Sequence, residues 1–229
     1  MSDDIFHDAK DAADKLMKDS DKSGSVLDKD RAGLTPDQAL VRLRDGNARY
    51  VAGEIPARDH AAGRVERAAS QAPFAAILGC ADSRVAPELA FDLKPGDLFV
   101  CRLAGNVVNA DVLASLEYAV AFLGTSLVVV LGHSGCGAVD AAIKVADKNE
   151  ILPGNLDQLA VSILPAVARA QAEDGGALLD RAIAQNARLS ALRLASRSAA
   201  LSDAIKDGQL RIVAAVYDIA TGQVQFLDD

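Results

Sequence analysis

The chain reads as an α/β protein, a mostly parallel central sheet flanked by helices, and three observations predict this. First, four short apolar runs, FAAILG (74–79), LFVCRL (98–103), LVVVLG (127–132) and LRIVAAVY (210–217), are bounded by Gly, Pro or polar residues. Apolarity sustained over about six residues marks strands buried on both faces. Second, helical patterns at about 111–123, 138–148, 156–172 and 177–207 lie between the runs, the last ending at Gly208. Such alternation indicates parallel strands covered by helices. Third, half of the 229 residues are apolar, enough for one sizeable core with a terminal extension.

Residues 1–33 read as that extension, either helical or disordered, with residues 34–229 as the α/β domain. It opens with a modestly amphipathic stretch (Ile5, Phe6, Ala9, Ala12, Ala13, Leu16, Met17) and continues into a polar run. Within the run, Asp19, Asp21, Ser23, Gly24, Val26 and Asp30 fall at positions 1, 3, 5, 6, 8 and 12 of a calcium-binding EF-hand loop. Position 12 is Asp rather than Glu and no second loop accompanies it, which favours a solvated linker. Thr35-Pro36-Asp37-Gln38 then announces a helix to about Val51: Thr35 caps, Pro36 suits the first turn and Gln38 completes a capping box. At the other end, QVQFL after the Thr221-Gly222 turn is expected to add an antiparallel edge strand.

Net charge is -8, and the 24 basic residues are scattered rather than gathered into a face. That argues against nucleic acid or an anionic membrane surface and for a small molecule or a second copy of the chain as partner. No stretch approaches the ~18 apolar residues of a membrane span. The acidic start lacks the apolar run of a secretory signal, and three cysteines, an odd number, do not suggest a disulfide framework. A cytoplasmic location with reduced thiols is the expectation.

Cys80 immediately follows the first predicted strand and His133 the third, with Cys136 three residues later in GHSGCG. Side chains at the carboxyl ends of strands in an open α/β sheet converge on the crevice where ligands bind. Two thiolates and an imidazole suit zinc, and three protein ligands leave a fourth tetrahedral position for water or substrate. Taken alone, His133-x-x-Cys136 reads equally well as a Gly-rich strand-to-helix turn. Cys101 falls inside a strand and reads as a small buried hydrophobe, while His7 and His60 lie in polar surroundings. A cysteine hydrolase is disfavoured because His133 and Cys136 share one turn and no separate base can be named.

Cys80-x-Asp82-x-Arg84 after one buried strand, with His133-x-x-Cys136 after another, resembles the signature of the β-carbonic anhydrases. The likeness runs through QAPFAAILGCADSRVAPELAFDLKPGDLFVCRLAGNVV and SLEYAVAFLGTSLVVVLGHSGCGAV, covering about residues 35–227. It implies reversible hydration of carbon dioxide to bicarbonate at one zinc ion per chain. Cys80, His133 and Cys136 would be the ligands, and Asp82 and Arg84 the catalytic pair. It also implies that Gln71, Phe99, Tyr118 and Gly137 contact substrate, and that the active unit is a homodimer or a multiple of dimers. Relatives on the same scaffold that hydrolyse carbon disulfide or carbonyl sulfide remain an alternative, as does a non-catalytic zinc-binding homologue, although all five motif residues are intact. The family commonly has Arg-Asn-x-x-Asn where this chain has Arg102-Leu103-Ala104-Gly105-Asn106, which leaves the local hydrogen bonding open. Bicarbonate regulation of the kind that uses a tryptophan is not expected, because the chain has none.

Overall fold

A computed structural model describes residues 33–59 and 63–227. The amphipathic stretch at 5–17, the calcium-loop match at 19–30, His7 and His60 lie outside the described residues. Helix α1 (Pro36–Ala52) starts at the expected capping box: Thr35 Oγ1 accepts from Gln38 N–H, and Gln38 Oε1 accepts from Thr35 N–H. It ends at Gly53, whose φ of 71° suits a left-handed cap. Two short helices that the sequence pattern does not indicate follow, α2 (Arg64–Ala69) and α3 (Pro87–Ala90), on either side of β1 (Ala75–Gly79).

The remaining elements are β2 (Leu98–Arg102), a 3₁₀ turn (Ala104–Asn106), α4 (Ala110–Leu123), β3 (Leu127–His133), α5 (Gly137–Lys148) and α6 (Leu156–Gln171). They continue with α7 (Leu178–Arg197), α8 (Ala199–Lys206), β4 (Arg211–Tyr217) and β5 (Val224–Phe226). The sheet order is β2-β1-β3-β4-β5. The first four strands pair in parallel, and β5 is the expected antiparallel edge.

Alternation along the strands builds the two faces of the sheet. Ala75 and Ile77 of β1, with Leu127, Val129 and Leu131 of β3, pack under Ala39, Leu40 and Leu43 of α1. Ala76 and Leu78, with Val128 and Val130, face Leu116 of α4 and Ala187 and Leu194 of α7. The Leu, Ile and Val side chains among these, removed from water this fully, each stabilise the fold by roughly 1.5–3 kcal/mol. Helix α1 approaches closely because residue 46 is glycine: a Cβ there would lie 1.9 Å from the Phe91 carbonyl oxygen.

Two expectations need correction. The pattern at 177–207 reads as one helix, but the chain breaks at Ser198 (φ -122°, ψ 117°) into α7 and α8. There Ser198 Oγ accepts from Leu201 N–H and donates to Glu117 Oε1 of α4, so a contact between distant segments decides the break. The apolar run of β2 reads as buried on both faces, yet only Leu98 is buried, because β2 lies at the sheet edge.

Candidate metal centre

The parallel register sets the ends of β1 and β3 side by side: Gly79 is opposite Leu131, and His133 closes β3 two residues further on. Cys80, leaving β1, and His133 therefore emerge at the same carboxyl edge. Cys136 follows after a turn through Gly135 and stands at the N-terminus of α5. All three residues are buried, and their ligand atoms lie within 4.8 Å of one another, with the two sulfurs 4.0 Å apart. Among the described residues this is the one such metal-capable group. Cys101 is not in it; the residue is half-buried in β2 and packs against the α4 side of the sheet.

The donor set fits a zinc ion. His133 Nδ1 is 3.1 Å from the Ser134 carbonyl oxygen, which assigns its proton to that nitrogen and leaves the Nε2 lone pair free. Nε2 is buried and without a hydrogen-bond partner, an arrangement costly for a polar atom that has no ligand to bind. The hydrogen bond from Cys136 pushes the Cys80 thiol down against its burial, with His133 and the N–H groups of Asp82 and Gly105 assisting. Cys136 is pushed up, first by its bond to the Cys80 sulfur and then by burial, with the N–H groups of Val139 and Ala138 opposing. The two sulfurs are in hydrogen-bond contact, and a soft divalent cation held between them would ionise both. Burial works against a charged His133, and the adjacent Cys80 thiolate outweighs it, so the net shift is upward.

Asp82 and Arg84 stand at the rim. Arg84 grips both carboxylate oxygens, Nε to Oδ1 at 2.9 Å and an Nη to Oδ2 at 2.7 Å, and its own N–H also reaches Oδ1. Asp82 Oδ2 lies 3.9 Å from His133 Nε2, so the carboxylate faces the ligand cluster while tied back to the guanidinium. The Arg84 side chain, then its backbone N–H, hold the Asp82 carboxyl well below the usual carboxylate range. The Asp82 side chain is 18% exposed against 55% for Arg84, so the carboxylate is the inner member.

Leu103, which replaces a polar family residue, is half-buried among apolar side chains from the helices on that face. Hydrogen bonding around the site comes from its neighbours instead. Arg102 folds back from β2 to donate to the carbonyls of Cys80 and Asp82, fastening the loop that carries both. The Gly105 N–H donates to Cys80 Sγ at 3.3 Å. Neither contact has a local sequence signal, since the bonded residues are separated by 20 to 25 positions.

The substrate-contact residues implied by the resemblance are spread more widely. Gln71 is exposed in the segment before β1, and Gly137 opens α5 directly after Cys136. Phe99 of β2 and Tyr118 of α4 are neighbours, ring centroids 6.4 Å apart, and Tyr118 stacks on Phe122 at 5.4 Å. This aromatic row links β2 to α4 on one face of the sheet.

Comparison with known proteins agrees with the geometry. The carbonic anhydrase family model matches residues 75–224. Carbonic anhydrase 2 of Mycobacterium tuberculosis is 40% identical over 197 residues, covering 84% of this chain and 93% of that protein. A carbonic anhydrase of Mycolicibacterium smegmatis is 39% identical over 194 residues, with coverages of 83% and 92%. Among solved structures, one described with two tetrameric β-carbonic anhydrases of the ascomycete Sordaria macrospora superposes with a TM-score of 0.65 at 25% identity, over 83% of this chain and 95% of that one. With buried Cys80, His133 and Cys136 gathered at the sheet edge and matches over most of its length, the chain belongs to the β-class carbonic anhydrases, a family of lyases.

Proposed function

We propose that this protein interconverts carbon dioxide and bicarbonate, with Cys80, His133 and Cys136 holding one zinc ion per chain and with Asp82 and Arg84 as the acid–base and positioning pair. The observation that carries the reading is the buried three-residue cluster with an ionised carboxylate 3.9 Å from its imidazole and locked by a two-toothed arginine contact. When bound, zinc lowers the pKa of water at the site towards neutrality, an effect for which carbonic anhydrase itself is the standard example.

The chain's own groups do the rest. Asp82 Oδ2, acceptor-only when ionised, takes a hydrogen bond from the reacting water and turns a lone pair towards the carbon of the substrate. Arg84 keeps that carboxylate charged and aimed, and a planar two-donor fork does this better than a single ammonium. Arg102 holds the Cys80–Asp82 loop so that ligand and acceptor keep their separation.

Gln71, Phe99, Tyr118 and Gly137 are assigned to the walls of the substrate slot, since a small uncharged linear molecule needs a dry, mainly apolar passage. The aromatic row makes the β2–α4 face the contact with a second copy, giving a homodimer or a multiple of dimers. Support comes from the exposure of Tyr118 (45%) and Phe122 (38%), large apolar side chains side by side, and from the tetrameric Sordaria relatives. Residues 1–33 are taken as an appendage to a catalytic domain of 34–229. No helix among the described residues is long and apolar enough to cross a membrane. The cytoplasmic location and a small-molecule rather than nucleic-acid partner rest on the acidic balance with scattered basic residues. Nothing in the site favours carbon disulfide or carbonyl sulfide as substrate, nor a non-catalytic zinc-binding role.

The test is stopped-flow carbon dioxide hydration with zinc measured on the same samples. The wild type is expected to hold one zinc per chain and to turn over. Arg84→Ala is expected to keep its zinc and lose about 100-fold in rate. An Arg84→Ala variant as fast as wild type at equal zinc content would remove the assigned role of the pair.

A further inference from the structure

The Cys80 sulfur has a donor that no motif announces. Gly105, in the 3₁₀ turn after β2, adopts a left-handed conformation (φ 65°, ψ 19°) and points its N–H at Cys80 Sγ, 3.3 Å away. The turn is tightly enclosed: a Cβ on Gly105 would lie 2.8 Å from Ile163 Cδ1 and 3.2 Å from Ala138 Cβ. Its carbonyl in turn accepts a hydrogen bond from Asn186 Nδ2 at 2.7 Å.

Asn186 sits midway along α7 and is 1% exposed. Its other amide atom, Oδ1, is buried without a partner. A buried, half-satisfied amide costs on the order of 1–3 kcal/mol, a penalty that an apolar side chain would not carry. The orientation of the amide is settled by its neighbour, because the Gly105 carbonyl accepts only and must meet the NH₂ end.

We propose that Asn186 is a positioning residue of the metal centre. By pinning the Gly105 carbonyl it holds the turn in the one conformation that aims Gly105 N–H at Cys80 Sγ, and through that bond it withdraws charge from the thiolate. The inference rests on the assignment of Cys80 as a zinc ligand. Its physical motive is the charge balance: two thiolates formally cancel the charge of a divalent zinc, and an N–H donor on one sulfur restores part of the metal's pull. Groups beyond the ligands commonly tune a metal in this way.

The test uses the full chain loaded with Co²⁺, whose thiolate-to-metal charge-transfer absorption reports how readily the sulfur gives up charge. It is paired with chelator competition for Zn²⁺. Asn186→Ala and Asn186→Leu, which keeps the branched outline without the amide, are expected to move the band to longer wavelength and to weaken zinc binding roughly tenfold. Ser190→Ala, one turn along the same helix at another buried and unpartnered polar atom, is expected to change neither. If Asn186→Ala does not fold, Asn186→Leu is read in the same way. Folded, loaded Asn186 variants whose band stays at the wild-type position, or a Ser190→Ala shift of equal size, would overturn the proposal. Wild-type protein that takes up no Co²⁺ would instead strike the ligand assignment and this inference with it.

Discussion

Strands β3 and β2 are written in nearly the same apolar alphabet, LVVVLGH against LFVCR, yet one lies at the centre of the sheet and the other at its edge. β3, between β1 and β4, is buried at all seven positions and delivers His133 to the carboxyl edge, where Cys80 and Cys136 meet it. β2 forms the edge, is buried only at Leu98 and carries Phe99 and Cys101 into a half-exposed face beside Tyr118 and Phe122. A cysteine at the end of a central strand is thus placed to bind metal, while a cysteine in the edge strand is packing. Apolarity selects strands, and position in the sheet selects their work.

The largest expected effect tests that contrast directly. Cys80→Ala is expected to abolish stoichiometric zinc binding and activity together, whereas Cys101→Ser keeps the metal content near wild type. Metal analysis of the two purified variants is the check, and equal zinc loss in both would erase the distinction between centre and edge.

The edge itself is expected to answer to charge. Tyr118→Asp puts a carboxylate into the aromatic row and is expected to weaken self-association roughly 30-fold, the equivalent of about 2 kcal/mol at a buried tyrosine contact. Light scattering over a dilution series reads the shift, with zinc content unchanged. A variant that assembles as tightly as wild type would move the dimer contact away from β2 and α4.

The smallest effect concerns the rim of the metal centre. The Asp82 carboxyl is depressed in the folded protein by the Arg84 side chain and backbone N–H, against about 3.9 in an unfolded chain. A depressed carboxyl contributes stability that is fully present above the unfolded value and is lost as pH falls through the folded one. The Tm difference between wild type and Asp82→Asn is therefore expected to be constant above about pH 5 and to narrow below about pH 4. It will be small, because exposed Arg84 is screened by solvent. Calorimetry across that range decides it, and a difference that changes between about pH 6 and 8 would show that another group sets the ion pair. Asp82 also cannot supply an acid limb to the rate profile near neutrality, since it stays ionised far below that range.

Local pattern accounts for a good deal of this protein. The length of the apolar runs places β1 to β4 to within about two residues, and for β1 and β3 burial on both faces of a covered sheet leaves little choice of residue, while the Thr221-Gly222 turn places β5. The capping box at Thr35 and the ligand trio at strand ends are legible for similar reasons, each being a local pattern with one chemical use. Long-range contacts account for the rest. Ser198 ends a helix because Glu117, far away in sequence, reaches its hydroxyl, and β2 became an edge through strand order rather than composition. Arg102 over the Cys80 and Asp82 carbonyls, and Asn186 behind Gly105, are single long-range hydrogen bonds with no periodic trace. A lone polar residue in a helical or strand pattern shows that a partner is needed, but which carbonyl it meets depends on how helices and turns stack over the finished sheet.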